Sequence, residues 1–336
     1  MDDIAPTHAP AAANNPSDLP PVEPPSAGFI VQLFLIPALI VAIVVTVYLL
    51  FGKIAGGHRS PEEYLSDLRG SNEERRWLAA HELALVLQHD KAWQENEAFA
   101  RELARELETS LSNPKPDDKV VSYQHYLARA IGFFRSPVGI GALRQALGDD
   151  VDSKVREAAI WSLGRLGDHL QSSGDHAIGQ QLVAVIPDLA NAGKADDPAT
   201  RKLVAFALGS LGRPEAVEQL RPFLNDPDRE VCYNAATGLA RLGSALGLDT
   251  LLEMLDTQTV RQRLASAGHE PNQIEAQVEA TQLAAIESMS RLVEHGRSSE
   301  IARARAAVQG TATSDANVSR LVSTRAAELL IKLNSP

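Results

Sequence analysis

The sequence predicts an all-α protein, an α-solenoid of helix pairs preceded by one transmembrane helix. Three observations lead there. A 23-residue run without charge occupies positions 29–51. From residue 60 onward, apolar side chains recur at helical spacing. Across that region one pattern returns about every 41 residues.

The apolar run comes first. FIVQLFLIPALIVAIVVTVYLLF measures roughly 34 Å as a helix, against a hydrocarbon core of about 30 Å. Pro37 is tolerated in such a helix as a kink. A cleavable leader would need a shorter core, a basic start and less chain ahead of it. Residues 1–28 hold seven prolines, no apolar period, and Asp2, Asp3, Asp18 and Glu23 as their charges. They read as a disordered tail. The expected organisation is therefore a tail over 1–28, a membrane helix over 29–51, a linker over 52–59 and a repeat domain over 60–336. Lys53, Arg59 and Arg69 follow the run and no Lys or Arg precedes it. The positive-inside rule then places the chain in the cell membrane, with the repeats in the cytoplasm and the tail outside.

Ser60-Pro61-Glu62-Glu63 reads as a capping box with proline at the first helical position. Beyond it, DSKVREAAIWSLGRLG (152–167) aligns with DREVCYNAATGLARLG (228–243), and DPATRKLVAFALGSLG (197–212) fits the same register. Each copy carries a capping Asp, an apolar stripe and a closing glycine. The central Leu-type position falls at 83, 131, 163, 208, 239, 289 and 330, so about seven helix pairs are expected. Leu163 and Leu239 are predicted at the centres of their stacks. Partner helices are expected at 137–149 and 214–226. The interval 257–273, with Gly268 and Pro271, is expected to hold a loop insertion.

PEAVEQLRPFLNDPDREV followed by NAATGLARLG resembles the HEAT-repeat family, in particular the bacterial type similar to phycobilisome-lyase HEAT-like repeats. The resemblance is strong over 137–255 and looser across the rest of 60–336. It implies a right-handed HEAT-like solenoid that acts as a binding scaffold. It also implies a structural Arg four residues after the cap, as at Arg76, Arg156 and Arg201, stitching neighbouring repeats. Cys232 takes that place in one copy.

Composition narrows the function. Hydrophobic residues make up 44% of the chain and aromatics only 5%, a balance that suits helices better than sheets. The net charge of −11 argues against nucleic-acid binding. Cys232 is the sole cysteine, so neither an intrachain disulfide nor a cysteine-based zinc site can form. Asp168-His169 and Asp175-His176 are a faint metal grouping, read as solvated polar residues. Gly139 and Gly141 lack the third glycine and the strand of a dinucleotide loop. No cofactor is expected, and no enzyme, because no motif gathers a nucleophile, base or metal set. The expected role is a membrane-anchored protein–protein interaction scaffold, with the bilayer met through Phe29–Phe51. The alternative is a lyase-like or other enzyme subunit binding a small ligand.

In a register with Ala159 and Leu163 buried, positions 157 and 161 point away from the stack. Across five repeats these two positions are Trp77 and His81, His125 and Arg129, Glu157 and Trp161, Lys202 and Phe206, Tyr233 and Thr237. Four of the ten are aromatic in a chain poor in aromatics, a make-up that matches interface hot spots. In HEAT-type solenoids this layer usually lines the concave surface. They are the candidate partner-binding residues. The alternative is that their rings pack on neighbouring inner helices.

Overall fold

The computed structural model describes residues 27–55, 59–112, 116–313 and 319–334. They divide into two units, Met1–Arg59 and Ser60–Pro336. The expected tail lies almost wholly outside the described residues.

In the first unit, α1 runs Ala27–Ala55, with Pro37 inside it. Its side chains are described without a break over 34–48, all of them exposed. Among the described residues no helix is long and apolar enough to cross a membrane. The expected span at 29–51 is therefore not shown.

The second unit is helical throughout its described residues, with no strand. It opens at α2 (Pro61–Leu68), where the capping box forms: Glu63 N–H donates to Ser60 Oγ at 3.2 Å and Ser60 N–H to Glu63 Oε2 at 2.9 Å. Then come α3 (Glu73–His89), α4 (Lys91–Gln94), α5 (Glu97–Leu111) and α6 (Asp118–Ile131). The middle holds α7 (Ile140–Gln145), α8 (Ser153–Leu170), α9 (His176–Ala192), α10 (Pro198–Ser210), α11 (Val217–Leu220) and α12 (Arg229–Arg241). The end holds α13 (Leu248–Leu255), α14 (Thr257–Ser266), α15 (Pro271–Glu294), α16 (Ser298–Ile301), α17 (Arg305–Ala312) and α18 (Arg320–Asn334).

The architecture is a solenoid of HEAT- or armadillo-like repeats. Helices α3, α6, α8, α10, α12, α15 and α18 stack in that order and form one layer, here called inner. The seven central positions of the sequence pattern fall one on each. Leu83, Leu208, Leu239 and Met289 are fully buried and Ile131 and Leu163 nearly so. In α18 the register slips by one, and Leu329 takes the buried place of Leu330. Asn72, Asp117, Asp152, Asp197 and Asp228 cap the first five inner helices through their side chains.

Small residues set the spacing. A β-carbon built on Gly209 of α10 would lie 2.4 Å from the Gly238 Cα of α12, so these backbones meet directly. Gly212 and Gly243 close their repeats at φ +64 and +74, a conformation that disfavours a side chain.

Three expectations need correction. The partner segments 137–149 and 214–226 are not continuous helices, since 3-10 turns at Pro137–Gly139, Pro214–Ala216 and Arg221–Asn225 interrupt them. Proline removes a donor and blocks the preceding turn, which favours these breaks. The supposed loop at 257–273 is mostly helix: Asp256 caps α14, Gly268 ends it at φ +82 and Pro271 starts α15. Val260, Leu264, Ile274 and Val278 form a small core of their own there. The repeat arginine mainly ties its own preceding loop. Arg156 donates to the carbonyls of Gly148, Asp149 and Val151. Arg201 does the same to Ala195 and Asp196, and it also grips Asp226 of the next repeat at 2.7 and 2.9 Å. Cys232 keeps part of the role, donating to the Asp226 carbonyl at 3.2 Å.

Candidate functional site

None of the ten candidate residues is fully exposed. Nine are half-buried and Tyr233 is buried. The rings pack between successive inner helices and keep one edge in solvent.

Between α3 and α6, Trp77 stacks on Tyr126 at 6.5 Å and His81 meets the same ring edge-on at 4.7 Å. His125 flanks it at 5.0 Å and hydrogen-bonds through Nδ1 to the Lys154 carbonyl at 3.1 Å. Between α6 and α8, the Arg129 guanidinium lies 3.5 Å from the Trp161 ring centroid. Phe133 meets Trp161 edge-on at 5.3 Å, and Arg165 lies 5.7 Å from both rings. Between α8 and α10, Phe206 presses on Gly164, where an added β-carbon would sit 2.8 Å from its Cε1. Glu157 accepts from the Thr200 hydroxyl at 3.5 Å.

The remaining residues do not join this line. Lys202 borders a separate open cleft of about 670 Å³ with Arg229, Arg263 and His269. The Tyr233 hydroxyl donates to Glu253 of α13 at 3.0 Å, and burial, followed by that bond to a carboxylate, pushes its pKa up to about 12. Thr237 bonds its own helix at the Asn234 carbonyl.

The charge pattern is unusual at α6 and α8. Among the described residues no carboxylate lies within ion-pair distance of Arg129 or Arg165. Burial, and then the Arg165 charge, hold Arg129 below its ordinary value. Arg165 Nη2 lies 3.5 Å from His169 Nε2, and its Nε is buried with no acceptor. Burial, then Arg165 and Arg135, push the His169 pKa down. Asp168 is the nearby acid, exposed and 3.9 Å from Arg241. Among the described residues no three His, Cys, Asp or Glu are grouped as a metal site. Asp175 of the second Asp-His pair is the cap of α9.

Sequence reasoning missed Arg165 and Arg241. Both stand two residues after a central leucine, in Gly164-Arg165-Leu166-Gly167 and Ala240-Arg241-Leu242-Gly243. The repeated arginine was visible in that alignment. It drew no attention because the outward row was read at two positions per helix when the solvent-facing edge holds three.

The family comparisons agree with this geometry. Residues 106–173 and 186–269 match the model described as HEAT repeats, and 153–211 match the one described as HEAT-like repeat. Over these residues the chain is similar to HEAT repeats. A curated relative, the uncharacterized phycocyanin operon protein Y of Pseudanabaena tenuis, is 23% identical over 181 residues, which is 54% of this chain. The match spans only 38% of that protein's length. Among solved structures, the complex of CpcE and CpcF of phycocyanin lyase from Nostoc sp. is 20% identical, with a TM-score of 0.44, covering 82% of this chain and 95% of that one. A designed armadillo repeat protein in complex with the peptide (KR)4 is 14% identical, with a TM-score of 0.41, covering 82% and 99%. At these identities the likeness concerns the fold alone. One expectation is corrected. With a curated relative described as a phycocyanin operon protein, the missing motifs are no ground for excluding an enzymatic role.

Proposed function

We propose that the chain is a membrane-tethered interaction scaffold whose inner helices bind a protein segment. The observation that carries this is the line of half-buried rings and guanidiniums from Trp77 through Arg129 and Trp161 to Phe206, shared between successive HEAT-like helices. Trp, Tyr and Arg with one face packed and one face wet are the residues that dominate binding energy at interfaces. A solenoid presents them in a row because each repeat repeats the placement.

The tether rests on the charge-free run at 29–51 and on the 29-residue length of α1. Lys53, Arg59 and Arg69 favour repeats on the cytoplasmic side. In a second reading, the chain is one subunit of a lyase-type enzyme, the alternative implied by the resemblance of its repeats to the phycobilisome-lyase type; the curated relative is a phycocyanin operon protein. A stoichiometric complex with a second HEAT-like chain after purification from membranes would favour that reading.

The test of the scaffold is site-specific photo-crosslinking in native membranes. A crosslinker at Phe206 should capture a defined partner, and one at Leu246, exposed in the turn between α12 and α13, should not. Equal capture from both positions would sink the inner-face reading.

A further inference from the structure

We propose that the Arg129–Trp161–Arg165 cluster is a carboxylate-reading subsite whose occupant is an acidic segment of a partner protein, laid along the inner helices. The proposal rests on the inner-face reading above and adds the chemistry of what is bound.

The argument starts from charge balance. The chain holds 43 acidic residues against 32 Lys and Arg, so counter-ions are plentiful. Three half-buried arginines elsewhere have them, while Arg76 and Arg156 spend their donors on backbone carbonyls. Arg201 holds Asp226 through two bonds, Arg229 holds Glu253, and Arg263 holds Glu230 at 2.6 Å. Arg129 and Arg165 have none among the described residues, although they share one indole and repel each other. Beside Arg165 lie His169, whose pKa burial and then the Arg165 and Arg135 charges push down, and Asp168, which is exposed and turned to Gln171 and Arg241. Desolvated like charges and a buried donor without an acceptor both work against the folded state.

A carboxylate at this point would remedy both. It would neutralise two guanidiniums and offer an oxygen to Arg165 Nε. The guanidinium fork matches a carboxylate in a planar, two-bond geometry. Stacking on Trp161 limits the motion of Arg129, so less freedom is lost on binding. Trp161 and Phe133 give the methylenes of a Glu side chain an apolar floor. The Trp77–Tyr126 rings on one side and Phe206 on the other extend the surface across successive helices, which suits an extended segment better than a single small anion. The net charge of −11 opposes every long polyanion alike, so an oligodeoxynucleotide serves as the probe that separates a carboxylate from a phosphate occupant.

The experiment uses the full-length chain in detergent with a fluorescein-labelled decaglutamate peptide, read by anisotropy. Decalysine and a single-stranded oligodeoxynucleotide are the comparison probes. Saturable decaglutamate binding should appear, and R129Q and R165Q should each weaken it roughly tenfold or more. R165Q should keep or raise the thermal midpoint, whereas R129Q also loses its contact with Trp161 and is read by binding. No saturable binding, unchanged binding in both variants, a lowered midpoint in R165Q, or stronger binding of the oligonucleotide than of decaglutamate would each overturn the proposal. The Phe206 crosslink keeps the two readings apart. Capture that persists in the R129Q/R165Q double variant leaves the inner face standing and removes the carboxylate subsite. Absence of capture in the wild type removes the scaffold.

Discussion

The Arg129 guanidinium lies 3.5 Å from the centroid of the Trp161 ring, and no described carboxylate pairs with it. The indole is thus part of the packing and part of the surface at once. Trp161→Ala should therefore destabilise the fold, by about 1–3 kcal/mol for loss of a half-buried ring and its cation contact. Calorimetry on the purified chain measures this. An unchanged midpoint would mean the ring contributes nothing to the α6–α8 junction.

Arg165 predicts the opposite sign. Its Nε is buried without an acceptor and its charge faces Arg129. Arg165→Met keeps the length and removes the unpaired charge, so the unliganded protein should gain roughly 1 kcal/mol, a rise of a few degrees in Tm. A fall in Tm would show that the guanidinium serves the fold.

Leu163 and Leu239 sit at the centres of α8 and α12, with 1% and 0% of their surface exposed. Leu→Ala at either should cost roughly 2–5 kcal/mol. Because each repeat touches its neighbours, the two effects should add to within a few tenths of a kcal/mol. Denaturant unfolding of the single and double variants decides this, and a loss below about 1 kcal/mol at both sites would be inconsistent with the stack.

Gly209→Ala should be costly for a different reason. The new methyl meets backbone, the Gly238 Cα at 2.4 Å, and α10 and α12 must separate. The expected loss is about 1–3 kcal/mol. Gly141→Ala meets nothing within 4 Å and, lying in α7, should be neutral or mildly stabilising. Equal Tm shifts for the two variants would contradict the close backbone approach.

Asp226 sets an acid limit. Its hydrogen bonds to the Arg201 guanidinium are the main cause holding its carboxyl below the usual range. A depressed folded-state pKa adds stability that is present above the unfolded value of about 3.9 and is lost as pH falls through the folded value. The α10–α12 junction should weaken below about pH 4, and Asp226→Asn should be less stable at pH 7 with a flatter acid limb. Melting curves from pH 7 to pH 3 test the slope. A parallel decline in both proteins would clear Asp226 of the effect.

The sequence alone determined the repeat. The apolar stripe places all seven inner helices, a capping Asp or Asn marks the first five, and a closing Gly ends α10 and α12, whereas Gly167, expected to close its repeat, lies inside α8. The outward positions were legible for the same geometric reason. Their environment was not. Whether Trp161 lies open or under Arg129 depends on how far apart α6 and α8 pack, and the close approach of Gly132 to Ser162 sets that distance. The same holds for Tyr233, which the pattern placed with the surface rings and which Glu253 of α13 draws into a buried bond. The pairing of charges is likewise tertiary. Arg201 and Asp226 are 25 residues apart, and only stacking brings them together and leaves Arg129 and Arg165 without a partner of their own. Short-range chemistry decided where the helices are, and the packing distances between them decided which side chains remain available to a partner.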